Sequence, residues 1–155
     1  MIRQDLWHGS HTKRLEAILP NKNGHADKIF ASSSIVVAAF FTAYPRKYSF
    51  LVDLVHKRVY TPDYNKLVSN DNGGSIYRVS GDFEPASDKL IYEFEASSAA
   101  AINETEIDSA VAFVTSLGFL IFADPALHNL AYFYQEEHQG QYPKDIPEHA
   151  WPINS

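Results

Sequence analysis

Cysteine is absent from the 155 residues, so disulfide frameworks, thiolate metal sites and cysteine nucleophiles are excluded. No apolar run approaches the length that spans a bilayer. The opening Met1-Ile2-Arg3-Gln4-Asp5 lacks the apolar core and small-residue cleavage site of a signal peptide. Together these absences predict a cytoplasmic protein with no membrane partner. Positive charge is scarce: 13 Lys and Arg against 19 Asp and Glu leave a net charge of −6, and no global field draws in a nucleic-acid backbone. Gly-x-Gly-x-x-Gly, Gly-x-x-x-x-Gly-Lys, His-Glu-x-x-His and Gly-x-Ser-x-Gly do not occur, which argues against Rossmann, P-loop, zincin and hydrolase-elbow chemistry. The histidines have no zinc spacing, and no metal is expected. Fixed-period repeats and low-complexity tracts are missing too, so solenoids drop out.

What is present is a foldable chain, 45% apolar and 14% aromatic. Its length predicts a single domain over 1–134 with an irregular tail, 135–155, packed on it; Pro143, Pro147 and Pro152 punctuate that tail. Strands are predicted at Asp5–His8, Lys28–Ala31, Ser49–Leu54 with a hairpin partner at Arg58–Tyr60, Ser75–Val79, Leu90–Glu95 and Phe119–Phe122. Thr12 is placed to cap a short helix running to Leu19, and Ser32-Ser33-Ser34 to open a buried helix over Ile35–Ala43. Asn103 and Glu106 form a capping-box pattern ahead of the stripe Ile107, Val111, Val114 and Leu117, which predicts a helix closed by Gly118. Strands outnumber helices, so the predicted class is α+β, two packed, mostly antiparallel sheets with a few flanking helices.

Three stretches carry a resemblance. Leu6-Trp7-His8-Gly9-Ser10 closely matches the stretch that opens the NAD site of the poly(ADP-ribose) polymerases. Those enzymes and the diphtheria-type toxins place two tyrosines eleven positions apart, the first followed in the polymerases by Phe-Ala. Here Ile29 precedes Phe30-Ala31, and Phe40 stands eleven residues after Ile29. Leu90-Ile91-Tyr92-Glu93-Phe94-Glu95-Ala96-Ser97 matches the strand that carries the family's glutamate, and Ile76-Tyr77 followed by Glu95 to Ser98 fits the order of small stand-alone relatives. The chain thus resembles the ADP-ribosyltransferase-like superfamily over roughly its first two thirds.

That resemblance implies NAD as substrate, cleavage of the nicotinamide–ribose bond, and transfer of ADP-ribose to water or an unidentified protein or nucleic-acid acceptor. Catalysis falls to Glu95, with Glu93 in reserve, and to His8. Such a carboxylate would stabilise an oxocarbenium-like ribose. Cofactor contacts fall to His8 on the adenosine-side ribose, Gly9 and Ser10, Phe30, and Phe40 as a stacking platform. Two departures stand out: Ile29 and Phe40 replace both tyrosines, and Val37 stands where the polymerases carry a carboxamide-holding serine. They leave a second expectation open, a catalytically inactive binding or interaction module. A third, an RNA 2′-phosphotransferase, is disfavoured by the acidic balance.

Overall fold

The computed structural model of the chain describes residues 1–20, 27–43, 51–54, 56–86, 93–123 and 151–152. It is α+β and mostly antiparallel, with β1 (Arg3–Ser10), β2 (Ala17–Ile18), β3 (Ile29–Ser32), α1 (Ile35–Phe40), β4 (Leu51–Asp53), β5 (Arg58–Thr61) and α2 (Tyr64–Asn70) in its first half. Then come β6 (Gly74–Gly81), β7 (Glu84–Pro85), β8 (Glu93–Ala96), β9 (Ala99–Ile107), α3 (Ala110–Ser116), β10 (Leu120–Ala123) and β11 (Trp151–Pro152). A seven-stranded sheet has the order β2-β9-β6-β1-β3-β8-β7, and a four-stranded sheet the order β11-β10-β5-β4. The pairing of β5 with β10 is parallel.

The large sheet curls. β8 and β9 stand four places apart in it, about 19 Å if it were flat, yet only Ser97 and Ser98 join them, a link that reaches about 11 Å. The strands must therefore wrap around one face. Alternation sorts the side chains between the two faces. Leu6, Ile29, Ala31, Tyr77, Val79, Ala96 and Ala99 fill the concave inner face as one cluster. On the outer face Ile76 and Ile107 join a second cluster with α1, Leu67, Ala110, Val114 and the small sheet's Val52, Val59 and Ile121. Helix α1 is buried from Val36 to Phe40, which explains why its sequence is apolar nearly all round.

Caps set two of the helices where serines allow. Ser34 Oγ accepts from the Val37 amide at 3.4 Å, as the serine cluster predicts, and α1 ends at Phe40, short of the predicted Ala43. Ser109 caps α3, and Gly118 follows it at φ 91°.

Two predicted helices are corrected. The segment after Thr12 crosses the sheet as an irregular, bent stretch, with Arg14 at φ 62°, and ends as β2 on β9; a residue in that left-handed conformation cannot sit inside a right-handed helix. Asn103–Ile107 belongs to β9, because pairing with β6 along its length outweighs a local capping pattern; α3 starts three residues beyond Ile107. Helix α2, capped by Asp63 at the Lys66 amide, was not predicted. Asn70 to Gly74 lead from it into β6, with Gly73 at φ 80°. Tyr44, Pro45, Leu90 to Tyr92 and residues 135–150 lie outside the described residues; Trp151–Pro152 pairs with β10 as a short strand. Among the described residues no helix is long and apolar enough to cross a membrane.

Candidate functional site

The central strand β1 pairs with β6 along most of its length, but its ladder with β3 consists of the single pair Trp7↔Ser32. Two register positions further, the ladder would set Gly9 against Phe30. Instead the His8 imidazole reaches across, with Nδ1 at 2.6 Å from the Phe30 carbonyl oxygen. A carbonyl only accepts, so Nδ1 carries the proton, and in the neutral ring Nε2 is left as an acceptor. Burial pushes the His8 pKa down from its ordinary 6.5, against the opposing pull of the Phe30 bond. The ring is neutral at pH 7.

Its neighbours on the inner face follow from the register. His8 faces Tyr77 on β6, which in turn faces Glu104 on β9, so an imidazole, a phenol and a carboxylate form one row. Tyr77 is fully buried; its hydroxyl donates to the Thr12 carbonyl at 2.7 Å and accepts from the Leu15 amide at 3.2 Å. Glu104 Oε2 accepts from Ser75 Oγ at 2.5 Å and from the Arg14 amide at 3.0 Å. These bonds, Ser75 first, hold its carboxyl below the usual carboxylate range. The sequence reading noticed Tyr77 only within Ile-Tyr and passed over Ser75 and Glu104. The signal was the alternation Ser75-x-Tyr77, which sets two hydroxyls on the face that Val79 makes apolar further along the strand.

The other predicted residues distribute as follows. Ser10 Oγ accepts from the Thr12 amide at 3.0 Å, a local turn. Gly9 lies under α1: a Cβ there would stand 1.8 Å from the Ala38 carbonyl oxygen, so the close approach that demands glycine is made by a helix. Phe40 is 0% exposed within the outer-face cluster and offers no ring face to a ligand. Phe30 faces Glu95, and Ser32 faces Glu93, on the outer side. Burial pushes the Glu93 carboxyl up. Glu95 lines an open cleft of about 510 Å³ with Lys28, Ser80, Glu84, Ser97 and Ala99, and Glu84 stands directly opposite it.

The structure therefore brings His8 to the backbone of Phe30, and the side chain of Phe30 beside Glu95. It does not bring the imidazole and either acid to one face, and it seals Phe40 away from both. Elsewhere the buried Asp53 accepts from His56 Nδ1 at 2.7 Å in the β4–β5 turn, a pair the sequence reading missed. Among the described residues no group of three or more His, Asp or Glu is placed to hold a metal ion. No family model, curated protein or solved structure matches the chain.

Proposed function

We propose that the chain is a binding module of ADP-ribosyltransferase-like architecture that takes the ADP-ribose part of NAD at the β1–β3 split, without efficient turnover of the dinucleotide. One observation carries the reading: His8 is fixed by the Phe30 carbonyl as a neutral ring whose Nε2 is able to accept a hydrogen bond donated by a ribose hydroxyl. The ribose end of NAD thus fits the residues present. Its nicotinamide end does not, since the Phe40 ring is enclosed in the core and α1 lies over Gly9. The alternation of β8 sets Glu93 and Glu95 on the outer face, so neither acid shares the surface from which His8 would hold a ribose.

The test is calorimetric titration with NAD and with ADP-ribose, alongside an assay for released nicotinamide. Similar affinity for both ligands is expected, with no release, and His8→Ala should weaken both about tenfold through loss of one hydrogen bond. Failure of both ligands to bind overturns the reading. The transferase reading, with a protein, nucleic-acid or water acceptor, is favoured by one feature, the pairing of Phe30 with Glu95, itself a lining residue of the cleft. Nicotinamide release that disappears in Glu95→Gln would install it instead.

A further inference from the structure

The chain leaves β1 at Ser10 and rejoins the sheet at Ala17 in β2, on the far side of β9, so residues 11–16 must cross β6 and β9, which lie between. They cross over Tyr77, the register neighbour of His8. We propose that residues 11–16 are a strap that closes the His8 end of the concave face, and that the carboxylate of Glu104 is its latch.

The strap has few means of holding itself. Residues 11 to 14 are exposed, and of the six only Leu15 packs against the inner cluster. Arg14 sits at φ 62°, a conformation unfavourable for a side-chain-bearing residue, and its own amide is the group that Glu104 Oε2 receives. The same oxygen takes Ser75 Oγ and lies 3.4 Å from the Tyr77 hydroxyl, which itself bonds the strap at Thr12 and Leu15. One carboxylate oxygen thereby ties the strained residue of the strap to two strand side chains beneath it. Glu106, two positions along β9, reaches Lys13 only at 4.0 Å between exposed side chains, a weak tie. Releasing Glu104 removes the bond that offsets the Arg14 conformation, and the segment over Tyr77 is then free to lift from the face on which His8 stands. As a gate for ligand, the strap rests on the reading of His8 given above; as a latched segment it does not.

The test therefore uses the full chain without nucleotide. Amide hydrogen exchange at Arg14 and Leu15 is measured in the wild type, Glu104→Ala, Tyr77→Phe and the control Glu106→Ala, together with the rate at which diethyl pyrocarbonate modifies His8. His56, whose side chain is 65% exposed, serves as the internal reference. Exchange about tenfold faster in Glu104→Ala and Tyr77→Phe, the loss of one charge-assisted or buried hydrogen bond, is expected, with His8 modified faster, His56 unchanged and Glu106→Ala like the wild type. Tyr77→Phe keeps the buried ring, so it reports the latch even where Glu104→Ala unfolds the chain. Unchanged exchange in both variants overturns the latch, and faster exchange with unaltered His8 reactivity overturns the gate. ADP-ribose titration is scored separately: no binding to the wild type would end the functional reading while leaving the strap result standing.

Discussion

Gly9→Ala is the substitution whose consequence can be worked most directly from the geometry. The added Cβ would lie 1.8 Å from the Ala38 carbonyl oxygen, 2.9 Å from the carbon of the same carbonyl and 3.2 Å from the Phe41 Cβ. Two of these atoms are backbone of α1 and its immediate surroundings, so no rotamer change relieves the clash. To restore ordinary contact the helix must retreat from β1 by more than about 1 Å, and a gap of that size forfeits a quarter to a half of the dispersion energy of the facing atoms. Helix α1 contributes five buried residues to the outer-face cluster, so the displacement is felt across it. A cost of about 3 kcal/mol follows, at the upper end of overpacking penalties, which corresponds to a melting temperature lowered by roughly 6–12 °C in a domain of this size. Thermal and urea unfolding followed by circular dichroism measure it. A variant melting within about 2 °C of the wild type would refute the packing account. If that stable variant also lost ADP-ribose binding, the glycine would belong to the ligand rather than to the helix.

Phe40→Leu should cost roughly 1–2 kcal/mol in denaturant unfolding while leaving ADP-ribose affinity unchanged, because the ring is sealed in the core; lost affinity at wild-type stability would contradict that placement. Asp71 accepts from Ser109 Oγ and from the amides of Ala110 and Val111 at 2.6, 2.6 and 3.0 Å, clamping the start of α3 from outside the helix. Asp71→Ala should destabilise by about 2 kcal/mol, and a melting curve that does not move would show the clamp to be idle. His8 has a folded pKa below its unfolded 6.5, so the unfolded chain takes up the proton first: its contribution is intact above that value and is lost as pH falls from it through the folded pKa. Urea midpoints from pH 8 to 5 should therefore fall more steeply in the wild type than in His8→Gln. The comparison cancels the opposite effect of Glu93, whose raised pKa favours the fold as pH drops.

Much of the architecture is legible because its signals are local. Phe50, Val52 and Leu54 alternate ahead of Arg58–Tyr60, and β4 and β5 form the expected antiparallel pair. Ser34 ahead of an apolar run specifies a helix start wherever that run is buried, and α1 begins there. The errors come where a distant partner decides. Asn103 and Glu106 satisfy a capping box on paper, but the edge of β6 offers that stretch a full ladder of hydrogen bonds, and Ser109 supplies the cap instead. Thr12 fails as a cap because Tyr77 and Glu104, more than sixty residues away, hold the segment across the sheet in a non-helical path.

The site was less legible for a reason specific to strands. Within one strand the period of two is readable, and Glu93 and Glu95 share a face as their spacing requires. Between strands, which residues share a face depends on register, and a shift of one position exchanges the faces. His8 and Glu95 can therefore keep their positions along a family pattern and still point to opposite sides of the sheet, as the pairs Trp7↔Ser32 and Phe30↔Glu95 require. Of the acids that share the face of His8, Glu104 stands in its row, two strands away and thus about 10 Å across the sheet. Its Oε2 is already engaged by Ser75 and Arg14. A carboxylate at that distance is spent on holding the chain that crosses Tyr77, and register alone decides that it, and not Glu95, lies on the side of His8.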